Sequence, residues 1–242
     1  MGNDPDLVFF ILGTGRSGTT LLLSLLNSHP NISIVPGEPL QRLHLSTLGD
    51  DLYGAKAIDH LLIRLKELPK QVRGSKILAQ HLEESRVSIY DLITYFNGPR
   101  FIVIYREHLF DQYISRLVAT QKRVWTIREG AHSAYAPTDI ERLVIDREAF
   151  FDYVLWIKNF YQQFRNHPTL MQSSVWFSYE ELVSNRALVC ESKIFPLLRV
   201  GPTQLRSNLI KMLSHPALDY VANADVVAKF AYSAEALQKW EY

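Results

Sequence analysis

A chain of 242 residues, 47% hydrophobic and 21% charged, is long enough for one sizeable core and has no repeat or low-complexity segment, so a single domain over residues 1–242 is expected. A formal net charge of +1 offers no basic field for nucleic acid, and the lone cysteine, Cys190, excludes an internal disulfide framework. The longest apolar run near the N-terminus is six residues, too short for a membrane span or signal-peptide core, and no lipid-anchor motif is present. Composition therefore points to a cytoplasmic protein without a stable membrane anchor; a luminal catalytic domain cut free of its anchor reads the same way.

Leu7 to Leu12 read as a buried parallel strand, and Leu21 to Leu26 as the following helix, broken by His29-Pro30. Between them Gly13 to Thr20 offer backbone N–H groups at a helix N-terminus, which binds anions. Three anion motifs compete for these residues. Gly13, Gly15 and Gly18 satisfy G-x-G-x-x-G, with Glu38 twenty residues past Gly18, which suits a dinucleotide. Gly13 and Gly18 also match G-x-x-x-x-G-K-[ST], but Thr19 stands where the phosphate-gripping Lys belongs, which argues against nucleotide triphosphate hydrolysis. In the third, Arg16 carries the cation into the loop and Ser17, Thr19 and Thr20 add hydroxyl donors around a doubly anionic group.

Ile32 to Val35 form the second strand candidate, and Glu38 follows in the loop PGEPL. It can serve as a general base, a ribose-binding acid or an ordinary loop glutamate. A basic loop, QVRGSK, leads into Ile77 and Leu78; Lys76 closes it and His81 follows five residues later. Phe101 to Tyr105 form another buried strand with Arg106 at its carboxyl end, and a helix is predicted from Glu107 to Gln121. Its apolar stripe is Phe110, Tyr113, Ile114 and Leu117, which puts Ser115 beside the stripe, able to meet Arg106 at one anion. An NTPase often ends such a strand with a Mg²⁺-holding Asp; a cation there suits a phosphate instead.

From Thr126 to Thr138 an irregular stretch after Trp125 reads as an acceptor lid or a plain connection. Asp146 caps a helix from Arg147 to about Asn166, whose aromatics read as core, and His167-Pro168 ends it. Val175 to Ser178 give a further strand, with Tyr179 to Leu182 opening a helix. Strands alternating with helices imply an α/β fold with a mostly parallel central sheet flanked by helices and ligand loops at the strands' carboxyl ends, where Gly13 to Thr20, Glu38 and Arg106 all fall. His44, His60, His108, His132, His167 and His215 read as structural or surface residues, and no cysteine–histidine spacing suits a metal.

The segment GTGRSGTTLL resembles the 5′-phosphosulfate loop of sulfotransferases, a family with a P-loop-NTPase-like fold that binds 3′-phosphoadenosine 5′-phosphosulfate (PAPS) and carries Lys or Arg at the position of Arg16. Arg106 and Ser115 in FIVIYREHLFDQYISRLVA resemble the family's 3′-phosphate site; they are nine positions apart, the spacing of a bacterial branch, where cytosolic steroid and phenol sulfotransferases show eight. VWFSYEELVSN is similar to the "YEDL" segment, whose tyrosine lies near the adenine, and IFPLLRVGPTQL to the "FLG-V" helix end. The glycine- and lysine-rich C-terminal motif of many cytosolic members is missing.

This resemblance covers most of the chain and implies sulfuryl transfer from PAPS to a hydroxyl of a carbohydrate, lipid or small metabolite by in-line displacement, releasing adenosine 3′,5′-bisphosphate (PAP) and requiring no metal. It implies cofactor contacts from Gly13, Thr14, Gly15, Arg16, Ser17, Gly18, Thr19, Thr20, Arg106, Ser115 and Tyr179. The chemistry needs one base and at least one cation. The resemblance assigns the base to Glu38, with His81 as the other candidate, and the cations to Arg16 and Lys76. An NAD-type oxidoreductase and a non-catalytic nucleotide-binding module remain the alternatives.

Overall fold

Short runs of β-branched and aromatic residues, apolar at every position, must be covered on both sides, and this chain meets that demand with a parallel sheet. A computed structural model describes residues 7–41, 53–130 and 136–238. Its strands are β1 (Leu7–Gly13), β2 (Ile32–Ile34), β3 (Val72–Leu78), β4 (Arg100–Tyr105), β5 (Ile127–Arg128), β6 (Ser174–Ser178) and β7 (Leu209–Ile210). The chain divides into two compact units: residues 1–105 with 164–207, and residues 106–163 with 208–242.

The first unit holds a five-stranded sheet in the order β2-β3-β1-β4-β6, with every neighbouring pair parallel. The chain leaves β1 for the edge strand β2, returns to β3 between them, then crosses to β4 and β6. Strand β1 therefore stands where the connections diverge, which is where open α/β sheets bind ligands at their carboxyl ends. Register brings those ends level: Gly13 pairs with Leu78, and Tyr105 with Ser178. A dinucleotide fold sets its second strand beside its first. Here β3 intervenes, so the G-x-G-x-x-G spelling does not belong to a Rossmann sheet.

Alternation along β1 sends Phe9 and Ile11 to one face, where they pack with Leu22, Leu25 and Leu26 of helix α1 (Thr19–Asn27), Ile102, Ile104 and Phe177. Phe10 faces the other way and meets Phe96 edge-on at 5.0 Å between ring centroids. The segment IFPLLRVGPTQL supplies Ile194, Phe195, Leu198 and Leu205 to the first face, a packing role as its spelling implies. His29 stops the preceding helix and ties it down: its Nε2 meets Gly201 O at 3.0 Å and its Nδ1 accepts from Asn31 N at 3.0 Å.

The second unit packs the helix Leu109–Lys122 with the helix Arg147–Arg165, and an aromatic cluster links Phe110 to Phe150 at 5.6 Å and Phe150 to Phe230 at 5.8 Å. Asp146 caps the second helix as its position predicts, Oδ1 accepting from Ala149 N at 2.8 Å. In the stretch Thr126 to Thr138, read as irregular, residues 131–135 lie outside the described residues; the rest contains β5, which pairs antiparallel with β7, and the start of a 3-10 turn at Pro137–Asp139. Among the described residues no helix is long and apolar enough to cross a membrane.

Close packing across the sheet sets one stringent requirement. A Cβ built on Gly74 would stand 2.2 Å from Cζ of Phe9, its register partner in β1. Gly74→Ala is expected to destabilise the protein by ~1–3 kcal/mol through overpacking. Adding Phe9→Leu should cost less in that background than in the wild type, a coupling measured by urea unfolding of the double-mutant cycle.

Candidate active site

The loop after β1 is shaped by what its glycines allow. A Cβ on Gly13 would lie 2.6 Å from Ser17 Oγ and 2.8 Å from the backbone oxygen of Ile104, so the loop folds back onto the strand ends only with glycine there. Thr14 O accepts from Ser17 N at 3.2 Å. Arg16 has φ 67° and Gly18 φ 100°, while Ser17 between them stays negative; alternation of this kind turns successive N–H groups to one side and forms an anion-binding concavity. Ser17 Oγ is fully buried and makes no hydrogen bond.

Gly18 begins α1 and carries a second constraint, because a Cβ there would meet Tyr179 Cδ2 at 2.6 Å. The half-buried Tyr179, first residue of the helix Tyr179–Ser184, thus packs directly on the loop. Its position is fixed from below by Ser178, whose Oγ accepts from Glu181 N at 2.9 Å.

Three of the residues singled out from sequence converge beside this loop. Lys76, in β3, donates from Nζ to Thr20 Oγ1 at 3.1 Å and pairs with Glu38 Oε1 at 2.6 Å. His81, in the helix Ala79–Ser85, brings Nε2 to 3.3 Å from the other oxygen of Glu38. Lys76 is 7% exposed and Glu38 23%, so each charge needs the other in a site mostly removed from water. Burial holds the His81 pKa below its ordinary value, with Lys76 adding to that and Glu38 and Glu84 opposing it. The imidazole is therefore neutral at pH 7, with its proton on Nε2 facing the carboxylate, and its Nδ1 is buried without a hydrogen bond. Sequence placed Lys76 and His81 on one short segment; the structure turns both toward Glu38.

Sequence reasoning passes over Gln80, whose Nε2 lies 3.6 Å from the point a Cβ on Gly15 would occupy. It sits across a strand–helix junction, where neither the period of two nor that of 3.6 applies, so no pattern marks it.

In the second unit Arg106 directly follows β4 and is 7% exposed; Ser115 is 6% exposed. Ser115 lies within the buried face of its helix with Leu109, Gln112, Val118 and Ala119, and Tyr113 and Leu117 are only half-buried. The apolar stripe, drawn from hydrophobic types alone, sets Ser115 beside it, whereas the buried face includes this small polar residue. His167 caps the helix Pro168–Gln172, His215 is exposed, and His44 and His132 lie outside the described residues. Among the described residues no group of three or more His, Cys, Asp or Glu side chains could hold a metal ion.

No family model matches the chain, and no curated protein matches it in sequence. Solved structures do. A sulfotransferase from Alicyclobacillus acidocaldarius aligns over 95% of this chain and 92% of its own at a TM-score of 0.51 and 13% identity. The chain has the sulfotransferase fold. Mouse sulfotransferase SULT7A1, solved with PAP, aligns over 82% of this chain and 60% of its own (TM-score 0.46, 13% identity). A sulfotransferase domain from the curacin biosynthetic pathway aligns over 94% and 87% (TM-score 0.39, 14% identity). The sulfotransferase fold agrees with the parallel sheet, its order, and the glycine loop after its first central strand.

The burial of His81 has a consequence for stability within this fold. Its folded-state pKa lies below the ordinary 6.5, so the unfolded chain takes up a proton that the folded chain resists. Stability is full above pH 6.5 and falls as pH drops from there through the lowered folded value. Urea unfolding at about pH 7.5 and about pH 5 should show a loss that shrinks in His81→Gln; an identical loss in the variant would mean that other groups carry it.

Proposed function

We propose that the protein is a PAPS-dependent sulfotransferase that moves a sulfuryl group to a hydroxyl of a carbohydrate, lipid or small metabolite. The observation that carries the reading is the Glu38 carboxylate, held by Lys76 and His81 beside Thr20 at the end of an anion-shaped loop. The buried, unpartnered Ser17 hydroxyl fits the same ligand class. Bound PAPS supplies an activated sulfuryl group.

The protein's part is orientation and charge. Backbone N–H groups of Gly13 to Thr20, with Arg16, Ser17, Thr19 and Thr20, hold the 5′-phosphosulfate. Lys76, already donating to Thr20, neutralises charge as it grows on the leaving phosphate. Glu38 takes the acceptor's hydroxyl proton; its Oε2, in the longer 3.3 Å contact, has the capacity for it. Neutral His81 orients that oxygen and is the second candidate for the base. Arg106 and Ser115 bind the 3′-phosphate, and Tyr179 lies along the adenine. The single cysteine, which leaves no internal disulfide framework, supports a cytoplasmic enzyme. An oxidoreductase reading leaves Arg16, Arg106 and the Glu38–Lys76 pair without work, and a non-catalytic module leaves Glu38 without any.

Adenosine 3′,5′-bisphosphate at a hundredfold over its Kd should stabilise the protein by ~2.7 kcal/mol, with no effect from NAD or ATP, and Arg106→Ala should lose the effect. Stabilisation by NAD instead would overturn the reading. In a screen of hydroxyl compounds with PAPS, Glu38→Gln should lower turnover by about 10²–10⁴ while bisphosphate binding persists; undiminished turnover would remove Glu38 from the mechanism.

A further inference from the structure

The three glycines of the loop are glycines for different reasons. Gly13 and Gly18 are closed in by protein atoms at 2.6 Å from their missing Cβ positions. At Gly15 the φ angle is one any residue adopts, and among the described residues only Gln80 Nε2, at 3.6 Å, comes within 4 Å of the missing Cβ, chain neighbours aside. Neither backbone conformation nor protein packing demands a glycine there. Among the described residues, what borders that space is a carboxamide.

Gln80 brings its amide to that space. Its Oε1 is out of water and makes no hydrogen bond, while its Nε2 end faces the opening at Gly15. Four residues earlier, Lys76 reaches the other end of the same loop at Thr20. The junction of β3 with the following helix thus addresses the loop at both ends, with an ammonium at Thr20 and a neutral donor at Gly15. A buried carbonyl oxygen left unpaired is costly, and such strain persists where a function holds the group in place.

We propose that Gln80 is a substrate-binding residue whose carboxamide N–H donates to the sulfuryl oxygens of the anion held by the loop, with Gly15 leaving room for that group. This rests on the sulfotransferase reading and adds to it a donor specific for the sulfuryl end of PAPS. A neutral donor suits that end, because it orients the transferring group without adding a further full charge to those of Arg16 and Lys76.

Calorimetric titration of wild type, Gln80→Ala and Gln80→Glu with PAPS and with adenosine 3′,5′-bisphosphate tests it, since the bisphosphate lacks only the sulfuryl group. Gln80→Ala should weaken PAPS by about tenfold or more, the worth of a hydrogen bond to a charged group, and leave the bisphosphate within about twofold. Gln80→Glu keeps the shape, sets a carboxylate against the anion, and should lose still more PAPS affinity with an unchanged melting temperature in the absence of ligand. Equal weakening of both ligands, or of neither, in variants that fold would overturn the assignment of Gln80 alone. A wild-type protein that binds neither ligand would overturn the sulfotransferase reading and this inference with it.

Discussion

The contact between Glu38 and Lys76, 2.6 Å long and mostly removed from water, is the constraint on which the candidate site depends. A carboxylate carried that far from solvent is tolerable only with a cation against it, and removing either partner leaves an uncompensated charge. The pair also fixes geometry. Lys76 belongs to the strand beside β1, and its second bond, to Thr20, ties the pair to the first turn of α1. The loop after β2, the end of β3 and the anion loop are held in one register by a single ammonium group.

His81 completes the arrangement from the other side. Because burial keeps it neutral, it gives Glu38 a hydrogen bond without a second positive charge. A carboxylate between an ammonium and a neutral N–H is oriented at both oxygens. The same logic separates the loop's glycines: two are tightly packed and establish its shape, and one is left open.

Much of the fold was legible because long apolar runs have few interpretations. Strands β1 and β4 are apolar at nearly every position and bounded by glycine or a charge, and the Asp146 cap sits where an aromatic helix begins. Less was legible where elements are short. The two-residue strands β5 and β7 are joined by pairing across eighty residues of chain, a contact with no local signature. The burial of Ser115 is hard to read for a related reason: a buried helix face is defined by its neighbours, and a count of apolar types sets small polar residues beside it.

The sequence by itself determined the anion loop, the strand ends where charged residues gather, and the set of side chains available for chemistry, because glycine spacing and apolar periodicity act over a few residues. Only the tertiary structure decided the strand order, which separated this sheet from a dinucleotide fold with the same glycine spelling. It also decided that Glu38 meets Lys76 and His81, and that Gln80 faces Gly15. Those contacts join segments that are distant in the chain or lie across a strand–helix junction, where the register of a parallel sheet sets the distances and no sequence period records them.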